Sequence, residues 1–309
     1  MSPRDEAREA LHIFMCRTGL SLGQIADRAG YSAASLRQFS SQARYGDGEG
    51  DVTAAKLMAF LKDNPPPALE LPGRLYETEA TREMDRMLAY IARGRWGTCY
   101  GPAGAQKTFL LEYRAAEAAA DSEPRIVHLR TSPSGMSPAV LLRRVAAGLA
   151  APYAQYVDSL RQSVLYALRR RKTPVAIVLD EAQHLYKWVD TLETLREIGD
   201  LGGWRVGLLL AGNEQVTQLF SPRRGQHFEQ WRSRIQQKEI RVLGPSREEA
   251  RKMIAGELGE VKEAVTETIL KGCMVADPLS KRQYVNARRL FNTLRDINEA
   301  RGKGNSKAH

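Results

Sequence analysis

The sequence predicts an α/β fold built on a buried parallel sheet, with helical segments before and after it. Three observations predict this fold. Helix and strand patterns alternate between Tyr76 and Leu243, the strands are short and nearly all apolar, and a glycine-rich turn ending in Lys107-Thr108 joins one strand to the next helix. Short apolar strands that alternate with helices are typical of a parallel sheet covered on both faces.

Composition narrows the class of protein. The chain has 309 residues, 43% of them hydrophobic, which is enough for two or three domains. No apolar run approaches the ~20 residues of a membrane helix, and the N-terminus lacks the apolar core of a signal peptide. The three cysteines and five histidines fit no metal or disulfide spacing. We therefore expect a cytoplasmic location, no membrane partner and no zinc site.

The net charge of +10 suggests a polyanionic partner. The excess is uneven: residues 1–64 are neutral, residues 65–243 carry +6 and residues 244–309 carry +4. Basic clusters lie at Arg143-Arg144, Arg169–Lys172, Arg223-Arg224 and Lys281-Arg282. Such runs are more often solvated faces than binding sites, and Arg169–Lys172 is also explained by a helix C-terminus and its dipole.

Residues that break helices and strands divide the chain into segments. Residues 1–64 show short helices, Asn64-Pro65-Pro66-Pro67 breaks the pattern, and residues 65–75 form a linker. Residues 76–243 form the α/β region, and residues 244–302 show only helical patterns and are predicted to be all-α. Residues 303–309 are predicted to be a disordered tail.

The elements of the α/β region follow in order. The patterns predict helices over 79–93, 108–120, 137–149, 159–171 and 191–199, and strands over 96–100, 125–129, 175–179, 206–211 and 238–243. Three further helices are predicted over 246–257, 262–271 and 286–301.

The N-terminal segment contains the pattern of a helix-turn-helix. Leu22, Ile25, Ala26 and Ala29 form one apolar face, Gly30 lies where the first helix ends, and Ser32 is suited to cap the second. The second helix would expose groove-reading side chains, which are Ser32, Ser35, Arg37 and Gln38. The alternative is a small helical bundle used for protein contacts.

The glycine-rich turn is the strongest signal in the chain. A strand, a glycine turn, Lys-Thr and a helix together form a phosphate cradle of backbone N–H groups, in which the lysine meets the outer phosphates and the threonine hydroxyl holds Mg²⁺. The nucleotide-binding candidates are Gly101, Pro102, Ala103, Gly104, Ala105, Gln106, Lys107, Thr108 and Phe109. Gln106 replaces the glycine that normally precedes the lysine, so we expect crowding or an unfavourable backbone angle there. The alternative is a chance Lys-Thr after a glycine turn.

A second motif supplies the complementary carboxylates. The apolar strand Val175–Leu179 continues directly into Asp180-Glu181. A carboxylate at the end of a buried strand suits Mg²⁺, and the next one suits polarisation of an attacking water. We expect Asp180 to hold the metal with Thr108, and Glu181 to act in catalysis. The alternative is a helix N-cap with a solvated neighbour.

Asn213 follows the strand Val206–Ala211. Its amide would orient water or touch the γ-phosphate, or it would only cap the next helix, predicted over 214–220. The sequence favours neither alternative.

These motifs occur in the order of a known family. Gly101–Thr108, Leu179–Gln183, Ala211–Asn213, Ser233–Ile235 and Asn286–Arg289 together resemble the AAA+ ATPases of the transposition-regulator group. That group includes the phage Mu transposition protein MuB and its relatives TnsC, TniB and IstB. The repressor-like N-terminal segment resembles MuB in particular.

The resemblance implies a fold, roles and partners. It implies an AAA+ P-loop fold with a C-terminal helical lid, ATP and Mg²⁺ as ligands, and filaments of this chain on double-stranded DNA that deliver target DNA to a transposase in a bacterial or phage-infected cell. Asn213 resembles sensor 1, Arg288 the sensor 2 arginine of the lid, and Arg234 an arginine finger, with Arg232 as its rival. The alternative for these arginines is a solvated surface.

DNA contacts are also implied by the resemblance. In TnsC-like filaments the loops after the second strand line the DNA, which assigns Arg130 and Thr131 to DNA binding. Two other functions fit the motifs: a helicase-loader or replication-initiator ATPase, and an ATP-switched helix-turn-helix transcription regulator.

Overall fold

The computed structural model describes residues 2–18, 22–40, 49–65, 71, 73–119, 125–149, 151, 154, 156–221, 228–235 and 238–305. Three predicted features fall wholly or partly outside the described residues. They are the linker, at its residues 66–70 and 72, the basic pair Arg223-Arg224, and the tail, at its residues 306–309. 

The helices and strands follow one another in the predicted alternation. In chain order they are α1 (Pro3–Thr18), α2 (Leu22–Ala29), α3 (Ala33–Ser40), α4 (Glu49–Asp63), α5 (Glu79–Ile91), β1 (Trp96–Tyr100), α6 (Lys107–Ala118), β2 (Ile126–Arg130), α7 (Pro138–Gly148), α8 (Val157–Arg170), β3 (Val175–Asp180), α9 (Val189–Gly202), β4 (Val206–Gly212), α10 (Glu229–Ile235), β5 (Glu239–Arg241), α11 (Arg247–Leu258), α12 (Glu263–Cys273), β6 (Met274–Ala276), β7 (Gln283–Val285) and α13 (Ala287–Asn305). Short 3₁₀ helices cover Ala182–Lys187, Gly203–Arg205 and Glu214–Gln218. The helix predicted over 214–220 is therefore wrong in type, because only a short 3₁₀ turn forms there.

Five parallel strands form the central sheet in the order β2-β3-β4-β1-β5. The register pairs Trp96 of β1 with Leu208 of β4, and Val175 of β3 with Val206 of β4. The carboxyl ends of β1, β3 and β4 therefore lie at one edge of the sheet. The predicted α/β fold with a buried parallel sheet is confirmed.

Apolar residues cover both faces of this sheet. One cluster packs α7, α8, α9 and α10 on the sheet and includes Leu142, Leu168, Ile177, Leu208 and Trp231. The other packs α5 and α6 on the opposite face and includes Met84, Leu111 and Val178. Side chains alternate between faces along a strand, so Ile177 and Val178 enter different clusters. Burial on both faces explains why β4, and β3 as far as Leu179, contain no polar side chain.

The helices α1 to α4 have a hydrophobic cluster of their own. Gly30 between α2 and α3 has a φ of +71°, and Ser32 accepts a hydrogen bond from the N–H of Ser35 at 3.0 Å, which caps α3. Leu36 and Phe39 are buried, whereas Arg37 and Gln38 are exposed. The predicted stop, cap and apolar face are present, and DNA contact by this segment stays a prediction.

The C-terminal region departs from the all-α prediction. Its helices α11, α12 and α13 share one cluster, but β6 and β7 form an antiparallel pair between α12 and α13. Each strand has only three residues, too few for the sequence to show an alternating pattern. The helix α13 continues to Asn305, past the predicted boundary at residue 302.

Within the described ranges, no helix is long and apolar enough to cross a membrane. Nor do the described His, Cys, Asp and Glu side chains form a group of three or more that could hold a metal ion.

Candidate functional site

The loop between β1 and α6 has a backbone shape that few residues tolerate. Gly101 has a φ of +157°, and a Cβ there would lie 2.0 Å from the carbonyl oxygen of Val242, so only glycine fits. Gln106 has a φ of +65° and a ψ of 4°, in the left-handed region that disfavours side chains. The expectation of an unfavourable backbone angle at Gln106 is confirmed. Strain of this kind persists where the surrounding structure imposes it, often at functional sites.

Lys107 is folded back across this loop. Its Nζ donates to the carbonyl oxygens of Gly101 at 2.8 Å and Pro102 at 2.9 Å. Burial lowers the pKa of the Lys107 ammonium group, and the nearby carboxylates of Glu181 and Glu214 act in the opposite direction. Both acceptors in the structure are neutral carbonyls, so a phosphate oxygen offers this cation a stronger partner.

Asp180 lies at the end of β3 and is fully buried. Its Oδ1 accepts from the N–H of Glu181 at 2.9 Å, whereas its Oδ2 has no hydrogen-bond partner among the described residues. Burial raises the pKa of Asp180, but contacts with His128 and Thr108 outweigh burial and leave that pKa below its usual value. A buried carboxylate oxygen without a partner, beside a threonine hydroxyl, has the chemistry of a Mg²⁺ ligand.

Glu181 is held in a strained turn by Gln183. Glu181 has a φ of +56°, and its Oε2 accepts from Nε2 of Gln183 at 2.5 Å. The Oε1 of the same Gln183 side chain accepts from the N–H of Asn213 at 3.3 Å. Gln183 therefore connects the end of β3 to the end of β4 and fixes the direction of the Glu181 carboxylate.

Asn213 takes the capping role, one of the two alternatives that the sequence left open, and a role toward a ligand stays a prediction. Its Oδ1 accepts from the N–H of Gln215 at 2.9 Å and so caps the 3₁₀ helix that follows β4. The same residue also lines the cavity beside Glu181 and Gly212. Capping fixes the orientation of the side chain, which leaves its amide nitrogen as the group that could face a ligand.

These residues surround a cavity of about 840 Å³ between the loop and α13. The cavity is lined by Ala103–Phe109, Glu181, Gly212 and Asn213, and on the other side by Gly73, Arg74, Glu257, Ala287, Arg288, Phe291, Asn292, Leu294, Arg295, Asn298 and Glu299. The lining includes basic side chains such as Lys107 and Arg288 and the rings of Phe109 and Phe291, which suit the charged and flat parts of a nucleotide. Arg288 thus lies on the cavity wall, and its role as a sensor 2 arginine stays a prediction.

The start of α13 is attached directly to the loop. The N–H of Ala287 donates to the carbonyl oxygen of Gly104 at 3.0 Å, and Nδ2 of Asn286 donates to that of Ala103 at 3.2 Å. A Cβ on Gly104 would lie 2.4 Å from Oδ1 of Asn286. The C-terminal region is thus hydrogen-bonded directly to the loop between β1 and α6.

Arg234 lies outside this cavity. It is near the amino end of β1, where its guanidinium forms an ion pair with Asp200 and lies 4.8 Å from the centre of the Trp96 ring. Arg232 on the same helix donates to the carbonyl oxygen of Phe220 at 3.5 Å. The cavity is at the carboxyl ends of the strands, so Arg234 does not reach the cavity of its own chain.

The DNA assignment of Thr131 is contradicted by its burial. Its side chain is only 4% exposed, and the hydroxyl is shared between the carbonyl oxygens of Asp180 and Glu181. Thr131 therefore supports the acidic turn and offers no hydroxyl to a phosphate. Arg130 is exposed, and its carbonyl oxygen accepts from Nη1 of Arg144 at 3.0 Å.

Three features of the site were not predicted. His128 of β2 places its Nε2 3.8 Å from Oδ2 of Asp180. Asn286 was noted only as part of a family motif, without a contact. Arg241 connects Glu214, next to Asn213, with the buried Asp277 of the β6–β7 turn. The histidine could have been noticed from its position near the end of a predicted strand, whereas the Arg241 pairs depend on long-range packing.

Comparison with known proteins identifies the fold. Residues 91–220 match the family model described as an AAA domain. The chain is similar in structure to Cdc6p from Pyrobaculum aerophilum (TM-score 0.53, 18% identity, 76% of this chain and 65% of that one) and to the ORC1 protein of Aeropyrum pernix solved in complex with DNA (TM-score 0.54, 17% identity, 77% and 63%). The match thus spans slightly less than two thirds of either protein. A comparison with curated proteins finds no significant match.

Proposed function

We propose that this chain, whose residues 91–220 match an AAA domain and whose central sheet has five parallel strands, hydrolyses ATP with Mg²⁺ in the cavity at the carboxyl ends of those strands. One observation carries the proposal. Lys107, Asp180 and Glu181 come from two separate strand–turn motifs, yet the fold brings a cation, a buried carboxylate and an oriented carboxylate to the same loop.

Each of these side chains has a distinct task. Lys107 would leave the carbonyls of Gly101 and Pro102 to bind the outer phosphates. Thr108 and Asp180 would hold Mg²⁺, which neutralises charge on the β- and γ-phosphates when bound. Glu181, held by Gln183, would orient the attacking water and accept its proton.

The second part of the proposal concerns DNA. We propose that the chain assembles on double-stranded DNA when ATP is bound and that it delivers target DNA to a transposase and activates it. The positive charge of residues 65–309 supports a polyanionic partner, and Arg130 with Arg144 offers exposed cations beside the acidic turn. The exposed face of α3 at Ser32, Arg37 and Gln38, with the half-buried Ser35, is a second candidate contact.

Self-assembly has its own structural argument. Arg234 lies at the edge opposite its own cavity, so its charge can stabilise a phosphoryl transition state only when a second copy abuts. ATP between two subunits would favour the assembled form, and hydrolysis would release it. Arg288, on the cavity wall contributed by α13, would report the nucleotide state to the C-terminal region.

A replication-initiator or helicase-loader ATPase is the second candidate. The similarity in fold to the Aeropyrum pernix ORC1 protein solved with DNA supports this alternative. Tagged protein isolated from its host cell distinguishes the two: a co-purifying transposase supports the first function, and a co-purifying replicative helicase supports the second.

The test compares two substitutions in adjacent residues. Glu181→Gln should leave ATP binding intact, lower turnover by about 10²- to 10⁴-fold, and give longer-lived assemblies on duplex DNA in electron micrographs. Asp180→Ala should weaken Mg²⁺-dependent binding of a fluorescent ATP analogue. Glu248→Gln, at an exposed position of α11, is the matched control and should resemble the wild type. Wild-type turnover in Glu181→Gln, or magnesium-dependent binding unchanged in Asp180→Ala, would show that the roles are misassigned.

A further inference from the structure

The loops that precede β1, β3 and β4 meet at the edge of the sheet opposite the nucleotide cavity. The N–H of Leu208 donates to the carbonyl oxygen of Arg95 at 3.0 Å, and a Cβ on Gly94 would lie 2.2 Å from the carbonyl oxygen of Trp204. The strand register places Val175 beside Val206, so the turn before β3 also adjoins the turn before β4. Side chains from three distant stretches therefore form one continuous surface.

This amino-end surface is strongly basic. It is formed by Arg93, Arg95, Tyr166, Arg169, Arg170, Lys172, Trp204 and Arg205. The loops 92–95, 171–174 and 203–205 together contain five basic residues and no acidic one. Among the described ion pairs, none involves a cation of this surface. The loop 120–124, which precedes β2 and contains Asp121 and Glu123, lies outside the described residues and is not counted in the surface.

Aromatic rings accompany the cations. Trp204 is 55% exposed, and the guanidinium of Arg205 lies 4.5 Å from the centre of its ring. Tyr166 is 44% exposed, and Arg170 both lies 5.5 Å from its ring and donates to its hydroxyl at 3.1 Å. These contacts hold the two arginines in place while leaving their charge unneutralised.

Arg205 adds a second, independent observation. Its Nε is buried and has no hydrogen-bond partner among the described residues. Among the described ion pairs, none neutralises the Arg205 guanidinium, so its positive charge favours an anionic oxygen bound at the surface.

The helix dipole explains only part of this arrangement. Arg169 and Arg170 lie in the last turn of α8, where cations interact favourably with the helix C-terminus. Lys172 lies beyond the end of that helix, and Arg205 comes from a different loop altogether. One carboxylate, that of Asp200, lies beside Gly94, Arg95 and Gly203 at this edge, but it is paired with Arg196 and Arg234. The other cations of the surface come from separate elements and repel each other unless an anion lies between them.

We propose that the amino-end surface binds the phosphodiester backbone of a nucleic acid, separately from the ATP cavity and from Arg130. Clustered cations with exposed aromatic rings are the features of backbone recognition in both duplexes and single strands. This inference deepens the proposed function and rests on it for DNA as the partner. It adds a contact surface at the amino ends of the strands, opposite the edge of the sheet where ATP is proposed to bind.

The experiment compares two variants. One lacks three positive charges of this surface, and the other lacks three positive charges elsewhere on the chain. The surface variant is Arg170→Gln with Lys172→Gln and Arg205→Gln. The control is Lys252→Gln with Lys262→Gln and Lys271→Gln, at exposed positions of the C-terminal region that change the net charge equally. Binding of labelled duplex and single-stranded DNA is measured by fluorescence anisotropy between about 50 and 200 mM salt, and ATP binding is measured in parallel.

The surface variant should lose affinity for DNA by at least about tenfold and reduce the slope of log affinity against log salt by about 2 to 3 for duplex, with unchanged ATP binding. The control should lose much less. A further change is Trp204→Ala. It should weaken the binding of single-stranded DNA more than that of duplex DNA if bases stack on this ring, and should weaken both equally if only the backbone is bound.

Several results would overturn the inference. One is a surface variant that keeps the wild-type salt slope, and another is a surface variant that loses no more DNA affinity than the control. A third is a surface variant that keeps its DNA affinity but no longer self-associates in sedimentation without DNA, which would make the surface a protein interface. If wild-type protein bound no DNA, the inference and the DNA part of the proposed function would both fail. If DNA binding depended on the surface but ATP did not bind, only the proposed ATPase function would fail.

Discussion

The two edges of the central sheet use charge in opposite ways. At the carboxyl ends of the strands, Lys107 is partly buried and Asp180 fully buried, and the left-handed residues Gln106 and Glu181 form the turns. At the amino ends, Arg169, Arg170 and Lys172 are exposed. Burial and backbone strain fix a few groups around one small ligand, whereas exposed cations suit a long anion without fixed register. One edge of the sheet thus holds buried charged groups around a cavity, and the opposite edge of the same sheet presents exposed cations.

In the proposed assembly, Arg234 would link the two edges through a second copy of the chain. It lies at the amino ends near Trp96, and its ion pair with Asp200 holds it there in the single chain. If the proposal is correct, the carboxyl edge of one subunit is completed by the amino edge of the next.

The largest expected effect tests that link. Arg234→Ala should lower ATP turnover by about 10³-fold and leave ATP binding unchanged, because the finger acts on the transition state of a neighbour. Arg232→Ala is the control and should have a much smaller effect. Turnover is measured by phosphate release.

Mixing two inactive proteins sharpens this test. Glu181→Gln subunits retain Arg234 and Arg234→Ala subunits retain Glu181, so mixed assemblies contain some complete sites. Equal amounts should regain a measurable part of wild-type turnover. Mixtures as inactive as their components, or greater damage from Arg232→Ala, would contradict the assignment of Arg234.

A smaller effect is expected at the attachment of the carboxyl edge to the C-terminal region. Arg241, at the end of β5, donates to Glu214 at 2.7 Å and to Asp277 at 2.7 Å, and its guanidinium holds the pKa of the Asp277 carboxyl well below the usual value. Arg241→Met would leave the buried Asp277 without its cation and should cost about 3 kcal/mol of unfolding free energy at neutral pH.

Urea denaturation measures this cost, with Arg82→Met as the control because its ion pairs are largely exposed and contribute less than about 1 kcal/mol. Because the pKa of Asp277 is lowered in the folded protein, its ion pair stabilises the fold at pH values above the usual range of a carboxyl. This stabilisation is lost as the pH falls through the lowered pKa. The deficit of Arg241→Met should therefore be largest at neutral pH and shrink once acid protonates the unpaired Asp277. A deficit that did not depend on pH would argue against this pair.

The smallest effect concerns the strained turn of the carboxyl edge. Gln106→Gly removes a side chain from a left-handed position that costs roughly 1 kcal/mol, so ATP binding should be unchanged or up to about fivefold tighter. Gln106→Ala retains the unfavourable φ and separates strain from side-chain chemistry. Titration with a fluorescent ATP analogue measures both. Loss of binding in Gln106→Gly would mean that the amide itself holds the nucleotide.

Local patterns were enough to predict the parts of the site that are continuous in sequence. The strand, turn and helix around Gly101–Thr108, the acidic end of the strand at Asp180, and the cap at Ser32 were all read correctly, because backbone preferences and apolar periodicity act over a few residues. The left-handed angle at Gln106 followed from the missing glycine alone.

Only the tertiary structure decided which distant residues meet. The sheet order β2-β3-β4-β1-β5 places His128 beside Asp180, buries Thr131 under the acidic turn, and joins the loops of Lys172 and Arg205 into one surface. The position of His128 near a strand end was the one hint in the sequence, and the contacts themselves were not predictable, because strand order and register are set by the packing of whole helices on both faces of the sheet. The sequence determined the chemical groups and the turns that present them, and the packed sheet determined which of them act together.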